Sequence, residues 1–590
     1  MHKRFFGFFL ISFLAGVGIS WSLEKASVRA WQFHEMDVPY VQGVLKKAND
    51  YNINTVVYSH EMIGEISRMY EYTHKGGKPT GFSKRGERLR ALARQAQDEG
   101  LRVWIWVHEL EYDVPARYCE DDAINIDLPG FWDWLQGKYD KFCRDFPEFN
   151  GIILTFHETE YKIFNDDQVI SELSMPERFA KMINTIDAAL ARHDKDFVVR
   201  SFLYEPRQME WFAEGIKNVS RRIILQSKCV PHDWQPFYPH NPMIGKFPDR
   251  PLIVEFDCSS EFTGRNNIPW TCPQYFEYRW RYDQQQPGVV GYNVRLDHAG
   301  YDALYTPNEI NVYALYRLVE DPDVTADQIW GEWTVKHYGA AAAPWIEKAL
   351  KPSFEIVNLS YFILGFWITD HSKLPSYGYA KSHISSRSIA KWKPDEPGYQ
   401  ELERRLNHPD PVLLERILAE KDKALAMADE AMHDLNQARP HLSNEQYDEL
   451  FRRLNLLRRV AYIWKVYAEA FFGYLTQIAG HEVPGLHNRI ERALEAMEHQ
   501  AQVSKAIGWT DDPPASSEEL RLVLEDLRIR ISIPPQIHSI LEQRFGRYEI
   551  DDVALEEENG QTVYALKIEG EEDDYEVKFS RQGELLSVQD

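Results

Sequence analysis

Four apolar runs in the first 160 residues end in the same dipeptide: His34-Glu35, His60-Glu61, His108-Glu109 and His157-Glu158. Later runs end in Tyr204-Glu205, in Lys228 with Asp233, in Glu255 with Asp257 and Glu261, and in Arg295 with Asp297-His298. Titratable groups gathered at run ends suit acid–base chemistry. One carboxyl group can donate a proton to a leaving oxygen while another, ionised, activates water or attacks carbon. Metal binding is the competing use of His and carboxylates, yet no HExxH or other ligand spacing occurs, so no metal or other cofactor is expected. Trp104, Trp106, Trp234 and Trp270 stand close to the same run ends and offer flat faces on which a ring can stack.

Positioning so many groups on one rim needs a repeated element. Eight short runs rich in β-branched and aromatic residues recur: Val28 to Phe33, Thr55 to Tyr58, Arg102 to Val107, Gly151 to Phe156, Phe197 to Tyr204, Arg222 to Gln226, Leu252 to Phe256 and Gly288 to Val294. Between them, segments such as Pro39 to Asn52, Gly86 to Glu99, Phe131 to Phe146 and Pro176 to His193 carry apolar residues at helical spacing. Strand alternating with helix predicts parallel pairing through right-handed crossovers, and eight repeats predict closure into a (β/α)8 barrel, an α/β fold. Chemistry in that fold sits where strands end and loops begin.

The 590 residues hold 67 Lys plus Arg against 91 Asp plus Glu, a formal charge of −24 that argues against a nucleic-acid partner. With 44% hydrophobic residues the chain can bury large cores. Met1 to Arg4 is a basic start and Phe5 to Ile19 an uncharged apolar run before Ser20 and Ser22, the pattern of a secretory signal peptide over 1–22. The expectation is an exported protein, periplasmic or extracellular, with no membrane association once the leader is cleaved. An oxidising compartment would permit Cys119 to pair with Cys143, or Cys258 with Cys272.

Residues 146–333 resemble glycoside hydrolase family 67, the α-glucuronidases, at scattered collinear motifs. Pro147-Glu148-Phe149-Asn150-Gly151 leads into the fourth strand as in that family, and Val199-Arg200-Ser201-Phe202-Leu203-Tyr204 is similar to its fifth-strand arginine motif. Lys228-Cys229-Val230-Pro231-His232-Asp233-Trp234-Gln235-Pro236, then Pro242-Met243-Ile244-Gly245, resembles its lysine-to-aspartate loop. Glu255-Phe256-Asp257-Cys258-Ser259-Ser260-Glu261-Phe262-Thr263-Gly264 resembles its seventh-strand motif, and Asn311-Val312-Tyr313-Ala314 through Ile329-Trp330-Gly331-Glu332-Trp333 the entry to its helical domain. The resemblance implies an inverting hydrolysis in which Asp233 and Glu261 flank the attacking water, with Arg200 and Lys228 contacting a uronic acid. Two carboxylates sharing a water repel, so at least one is expected with a raised pKa. Each cation has the alternative of pairing with a neighbouring acid. His108, Glu109, His157, Glu160, Arg295 and Asp297 are further candidates to line the substrate.

Departures from the family are equally specific. Its fourth-strand lysine and the catalytic acid four residues on fall here at Thr155 and Thr159, and Thr cannot act as a carboxylic acid. Glu158 or Glu160 must replace it, and Glu158, beside His157 at the strand end, is the choice. The family's separate N-terminal β-domain has no counterpart. The expected activity is hydrolysis of an oligosaccharide or polysaccharide, α-glucuronidase-like, with amide variants of Asp233 or Glu261 inactive at nearly unchanged melting temperature. A non-catalytic carbohydrate-binding or scaffold protein on a degenerate barrel is the alternative.

With the barrel assigned to 23–304, residues 305–533 read as a helical domain in which Pro411 to Met432, Ser443 to Gly480 and Gly485 to Ile507 carry bundle-like spacing. Tyr361 to Trp367, an aromatic patch followed by Asp370-His371, reads as core packing between domains or as a lid over the rim. In 534–590 a helix from Gln536 to Phe545 precedes strands at Glu549 to Glu556, Thr562 to Glu569 and Tyr575 to Ser580, with turns at Asn559-Gly560 and Gln582-Gly583. This small α+β module resembles the PepSY type and points to binding, inhibition or stability.

Overall fold

The computed structural model describes residues 26–72, 79–510, 514–545, 548–558, 560–569 and 574–589. The leader predicted over 1–22 lies outside them. Eight parallel strands close a barrel: β1 (Val28–Phe33), β2 (Thr55–Tyr58), β3 (Arg102–His108), β4 (Gly151–Thr155), β5 (Asp196–Arg200), β6 (Ile224–Lys228), β7 (Leu252–Asp257) and β8 (Val289–Arg295). Each pairs with its neighbours in sequence, and β8 pairs with β1 to complete the ring. The fold is therefore the (β/α)8 barrel that the spacing predicts. Strand β5 is shorter than expected. Beyond Arg200 the chain bends into the helix Pro206–Ile216, whose N-terminus is capped reciprocally by Glu205 and Gln208.

Helices such as Val38–Ala48, Lys84–Asp98, Phe131–Asp145 and Met175–Arg192 cover the barrel and bury one apolar stripe each. Beyond β8 the described chain to Ile531 is mainly helical, interrupted by two small two-stranded sheets, and its longest elements, Pro411–Ala438 and Asn444–Ile478, form an antiparallel pair flanked by Leu486–Ala506. Tyr361, Phe362, Phe366 and Trp367 are buried, so the aromatic patch is core packing. The segment that follows it, 369–388, lies against the barrel mouth, where Ser372 Oγ donates to the Glu261 carbonyl at 2.7 Å and Tyr238 OH donates to the Arg387 carbonyl at 2.7 Å.

At the C-terminus, the helix Pro535–Phe545 packs on a four-stranded antiparallel meander of β9 (Glu549–Glu558), β10 (Gln561–Glu569), β11 (Asp574–Ser580) and β12 (Leu585–Gln589). It has its own core of Ile537, Leu541, Val553, Tyr564, Leu566, Ile568, Val577 and Phe579. The fourth strand, unforeseen in the sequence, is a short edge strand with no fully buried residue. Arg530 docks the module by donating to the carbonyls of Ile550 and Asp551. All five cysteines are free thiols, so neither pairing permitted by the sequence forms. Among the described residues no helix is long and apolar enough to cross a membrane.

Barrel closure depends on a position without a side chain. Gly291 sits opposite Val28, and a Cβ there would stand 1.8 Å from the Val28 carbonyl oxygen. Gly291→Ala is expected to force β1 from β8 and cost about 1 to 3 kcal/mol or more, read as a lower urea midpoint.

Candidate active site

Successive residues of a strand point to opposite sides, so alternate positions fill the barrel. The inner layers are apolar, with Ala30, Val57, Trp104, Ile153, Val198 and Ile253 packed together. Above them lies a fully buried polar layer. Glu255 accepts from Arg200 through Nε at 2.7 Å and Nη2 at 2.8 Å, and from Gln226 at 2.9 Å. Burial alone would raise the Glu255 pKa, but Arg200 and then Lys228 hold it below the usual range. The Arg200 guanidinium also lies over the Trp106 ring at 4.5 Å. Arg200 is thus held by a neighbouring acid inside the barrel, the alternative left open by the sequence.

The mouth above this layer carries two carboxylates, each clamped by cations. Asp233, at a left-handed φ of 42°, accepts from Lys228 Nζ at 3.0 Å and from Arg387 of the helical region. Burial opposes its ionisation, yet Lys228, His232 and Arg387 together hold it well below the ordinary value. Glu261 accepts from Arg295 at 2.6 Å, with His371 at 3.5 Å and His298 at 3.7 Å. Against its burial, Arg295, then His298 and His371, pull its pKa down to about 2. Mutual repulsion was expected to raise one of the pair. Both are lowered instead, because each has its own buried cation, and neither can serve as a proton donor.

The His-Glu repeats divide by direction. His34, His60 and His108 gather at the mouth beside Trp106, with His60 and His108 stacked at 4.1 Å, while His157 packs on Tyr204 at 5.5 Å. Burial lowers His157 to about 4, His298 to about 4 and His232 to about 3, so these rings are neutral at pH 7. Glu61 stays with the mouth histidines, 3.4 Å from His34 and 3.2 Å from His60, but not every glutamate of the repeats does. Glu109, predicted at the mouth, is fully buried on the outside of the barrel, where Lys138 donates to it at 3.0 Å and Tyr139 also bonds it. Asp297, another predicted contact, is buried and accepts from the backbone amides of His34 and Glu35, tying the end of β1 to the chain after β8. It positions the rim and does not line the substrate.

Thr155 is buried and accepts from the Trp106 indole at 2.8 Å, and the Thr159 hydroxyl donates to the Tyr161 carbonyl, so neither takes up acid–base work. Glu160 is turned toward the Tyr112 hydroxyl in the loop after β3. Glu158 is exposed and has no ion-pair partner among the described residues, while its charge acts on Tyr204 and on Lys228. Of the predicted residues, the fold therefore brings Glu158, His157, Lys228, Asp233, Glu261, Arg295 and His108 to one mouth. Glu109 and Asp297 serve the framework, and Glu160 faces aside. Arg387 was not foreseen, since nothing in Ser385-Ser386-Arg387-Ser388 marks it. Among the described residues no group of three or more His, Cys, Asp and Glu is placed to hold a metal ion.

No protein-family model matches the chain, and no curated protein matches it by sequence. Solved structures do. A glycoside hydrolase family 138 enzyme targeting pectin rhamnogalacturonan II aligns over 92% of this chain and 71% of its own, at 12% identity and a TM-score of 0.55. A family 115 4-O-methyl-α-glucuronidase with specificity for decorated arabinogalactans aligns over 94% and 69%, at 8% identity and a TM-score of 0.46. A mutant O-GlcNAc hydrolase of Thermobaculum terrenum aligns over 88% and 96%, at 9% identity and a TM-score of 0.42. All three are glycoside hydrolases. At such identity the likeness is one of fold, and none of the three belongs to family 67.

The clamps revise the expected effect of amide substitution. Asp233→Asn leaves Lys228 and Arg387 facing each other without their shared anion, and is expected to cost about 3 to 5 kcal/mol in urea unfolding. Glu158→Gln, at an exposed position, should stay within about 0.5 kcal/mol of the parent. The lowered pKa of Glu261 also fixes a sign with pH. Its contribution, about 3 kcal/mol for a shift from 4.5 to about 2, is present above pH 4.5 and is lost as pH falls toward 2. Stability measured from pH 5 to pH 2 should fall less steeply in Glu261→Gln than in the parent.

Proposed function

We propose that the chain is an exported glycoside hydrolase that releases an α-linked uronic acid or a related sugar from plant or algal polysaccharide fragments, with inversion. The observation that carries this reading is the pair of ionised carboxylates, Asp233 and Glu261, held by separate cations at one barrel mouth beside an unpaired third, Glu158. In the proposed step Asp233 or Glu261 takes a proton from water, whose oxygen attacks the anomeric carbon. The glycosidic C–O bond breaks as Glu158 gives its proton to the leaving oxygen. Lys228, Arg295 and Arg387 stand at the mouth beside the two ionised carboxylates, and cations so placed suit a sugar bearing its own carboxylate. The family 138 neighbour, which targets a pectin, is in keeping with a polysaccharide substrate. Export rests on the basic and apolar leader in the sequence.

Release of free uronate is the test, measured on glucuronoxylan fragments, algal oligosaccharides and rhamnogalacturonan II. The parent is expected to release it with the inverted anomer appearing first by NMR. Glu261→Gln and Glu158→Gln should each lower kcat by about 100-fold or more. Release of neutral sugars alone would refute the uronate assignment. Binding without any release would identify a non-catalytic carbohydrate-binding barrel.

A further inference from the structure

Burial keeps His157, His232 and His298 neutral, and one histidine of the mouth differs from them. His371 belongs to the helical region, its side chain is 44% exposed, and its environment favours the proton: the hydrogen bond to Asp370 raises its pKa first, burial opposes this, and Glu261 raises it further. Its geometry is fixed from several sides. Nδ1 is 2.8 Å from Asp370 Oδ1, Nε2 points to Glu261 Oε1 at 3.5 Å, and the ring stacks on Phe262 at 5.2 Å between centroids. Both His371 and Ser372 hold left-handed φ angles, 53° and 92°, which non-glycine residues rarely adopt without compensation. The compensation is visible. Ser372 Oγ donates to the Glu261 carbonyl at 2.7 Å and accepts from the Gly264 amide at 2.8 Å, so the strained turn is bolted to the loop that carries Glu261.

We propose that the Asp370–His371 pair is a positioning element for Glu261, in which the imidazolium, oriented by Asp370, ion-pairs through Nε2 with the carboxylate and keeps it aimed at the attacking water. The helical region thereby completes a site that the barrel alone leaves unfinished. His371 neither gains nor loses a proton during turnover; it acts through Glu261. The groups facing this pair are Glu261, Arg295, His298 and Asp233 from the barrel, and Lys373, Tyr379, His383 and Arg387 from the helical region. His298 and His383 are neutral near pH 7, Arg295 and Arg387 keep their charge, and burial raises Tyr379 to about 12. Loss of a proton from this cluster above the ordinary imidazole range therefore reports on His371. Below its raised pKa His371 is charged and the clamp is closed; as pH rises through that value the clamp is lost.

This inference rests on the reading of Glu261 as a water-activating carboxylate, so its test has one arm independent of turnover. In that arm the His371 ring is titrated by NMR in the full chain, its signal identified by its loss in His371→Gln. Its pKa is expected to fall in both Glu261→Gln and Asp370→Asn, and an unchanged value in both would overturn the proposal. In the kinetic arm, His371→Gln should lower kcat by about tenfold at pH 6 with KM within about twofold, and should lose the alkaline limb of the parent profile. Parent-like kcat with the limb intact would overturn the inference and leave the hydrolase reading standing. A parent inactive on every substrate would remove the hydrolase reading, and the NMR arm would still decide whether the pair clamps Glu261.

Discussion

Asp233 lies between Lys228, at the end of a barrel strand, and Arg387, from a segment more than 150 residues later in the chain. A buried lysine and a partly buried arginine repel when they face one another without an anion between them, and the anion cannot be buried without cations. This triad therefore holds the helical region against the barrel and fixes the charge of Asp233 in one arrangement. Lys228 is further enclosed by the faces of Phe202 and Trp234, at 4.0 and 4.3 Å. Its ammonium is desolvated on those sides and depends the more on Asp233.

The same logic recurs with different partners around the ring. Arg200 is matched to Glu255 below the mouth and Arg295 to Glu261 above it, with Asp257 beside Arg295 and bonded by Ser259. Carboxylates that would repel one another are separated electrostatically because each is neutralised locally. The result is a mouth of charged groups in which burial keeps the rings of His157, His232 and His298 neutral. Two side chains stand apart from that pattern: Glu158, which has no ion pair among the described residues, and His371, whose bond to Asp370 favours its proton.

Side-chain direction explains why the repeated His-Glu dipeptides did not form a ring of alternating acids and bases. A strand sends neighbouring residues to opposite sides, so Glu109, directly after His108 at the end of β3, turns outward, whereas Glu61, in the helical turn after β2, stays beside His34 and His60. Glu35 bonds the backbone amides of Met36 and Asp37, and Glu109 meets Lys138 on the covering helix. Glu61 and Glu158 each stand three residues beyond the end of their strands, at Tyr58 and Thr155, and are free of that alternation.

The eight-fold alternation of β-branched runs with amphipathic segments determined the barrel from sequence alone, because hydrophobic periodicity is a local property written in consecutive residues. The same holds for the long helices after β8 and for three of the four C-terminal strands. The types of residue at strand ends, and so the general chemistry of the mouth, were legible for Asp233, Glu261, Lys228 and Arg295. What the sequence could not carry was pairing across long separations. Whether Arg200 is spent on Glu255, whether Glu109 faces out, that Arg387 arrives from the helical region, and that His371, offered by the sequence only as part of a possible lid, meets Glu261 are decided only when distant segments compete for the same space. Ionisation follows from those neighbours rather than from the residue itself, which is why two carboxylates, at least one of which was expected to have a raised pKa, are both held charged.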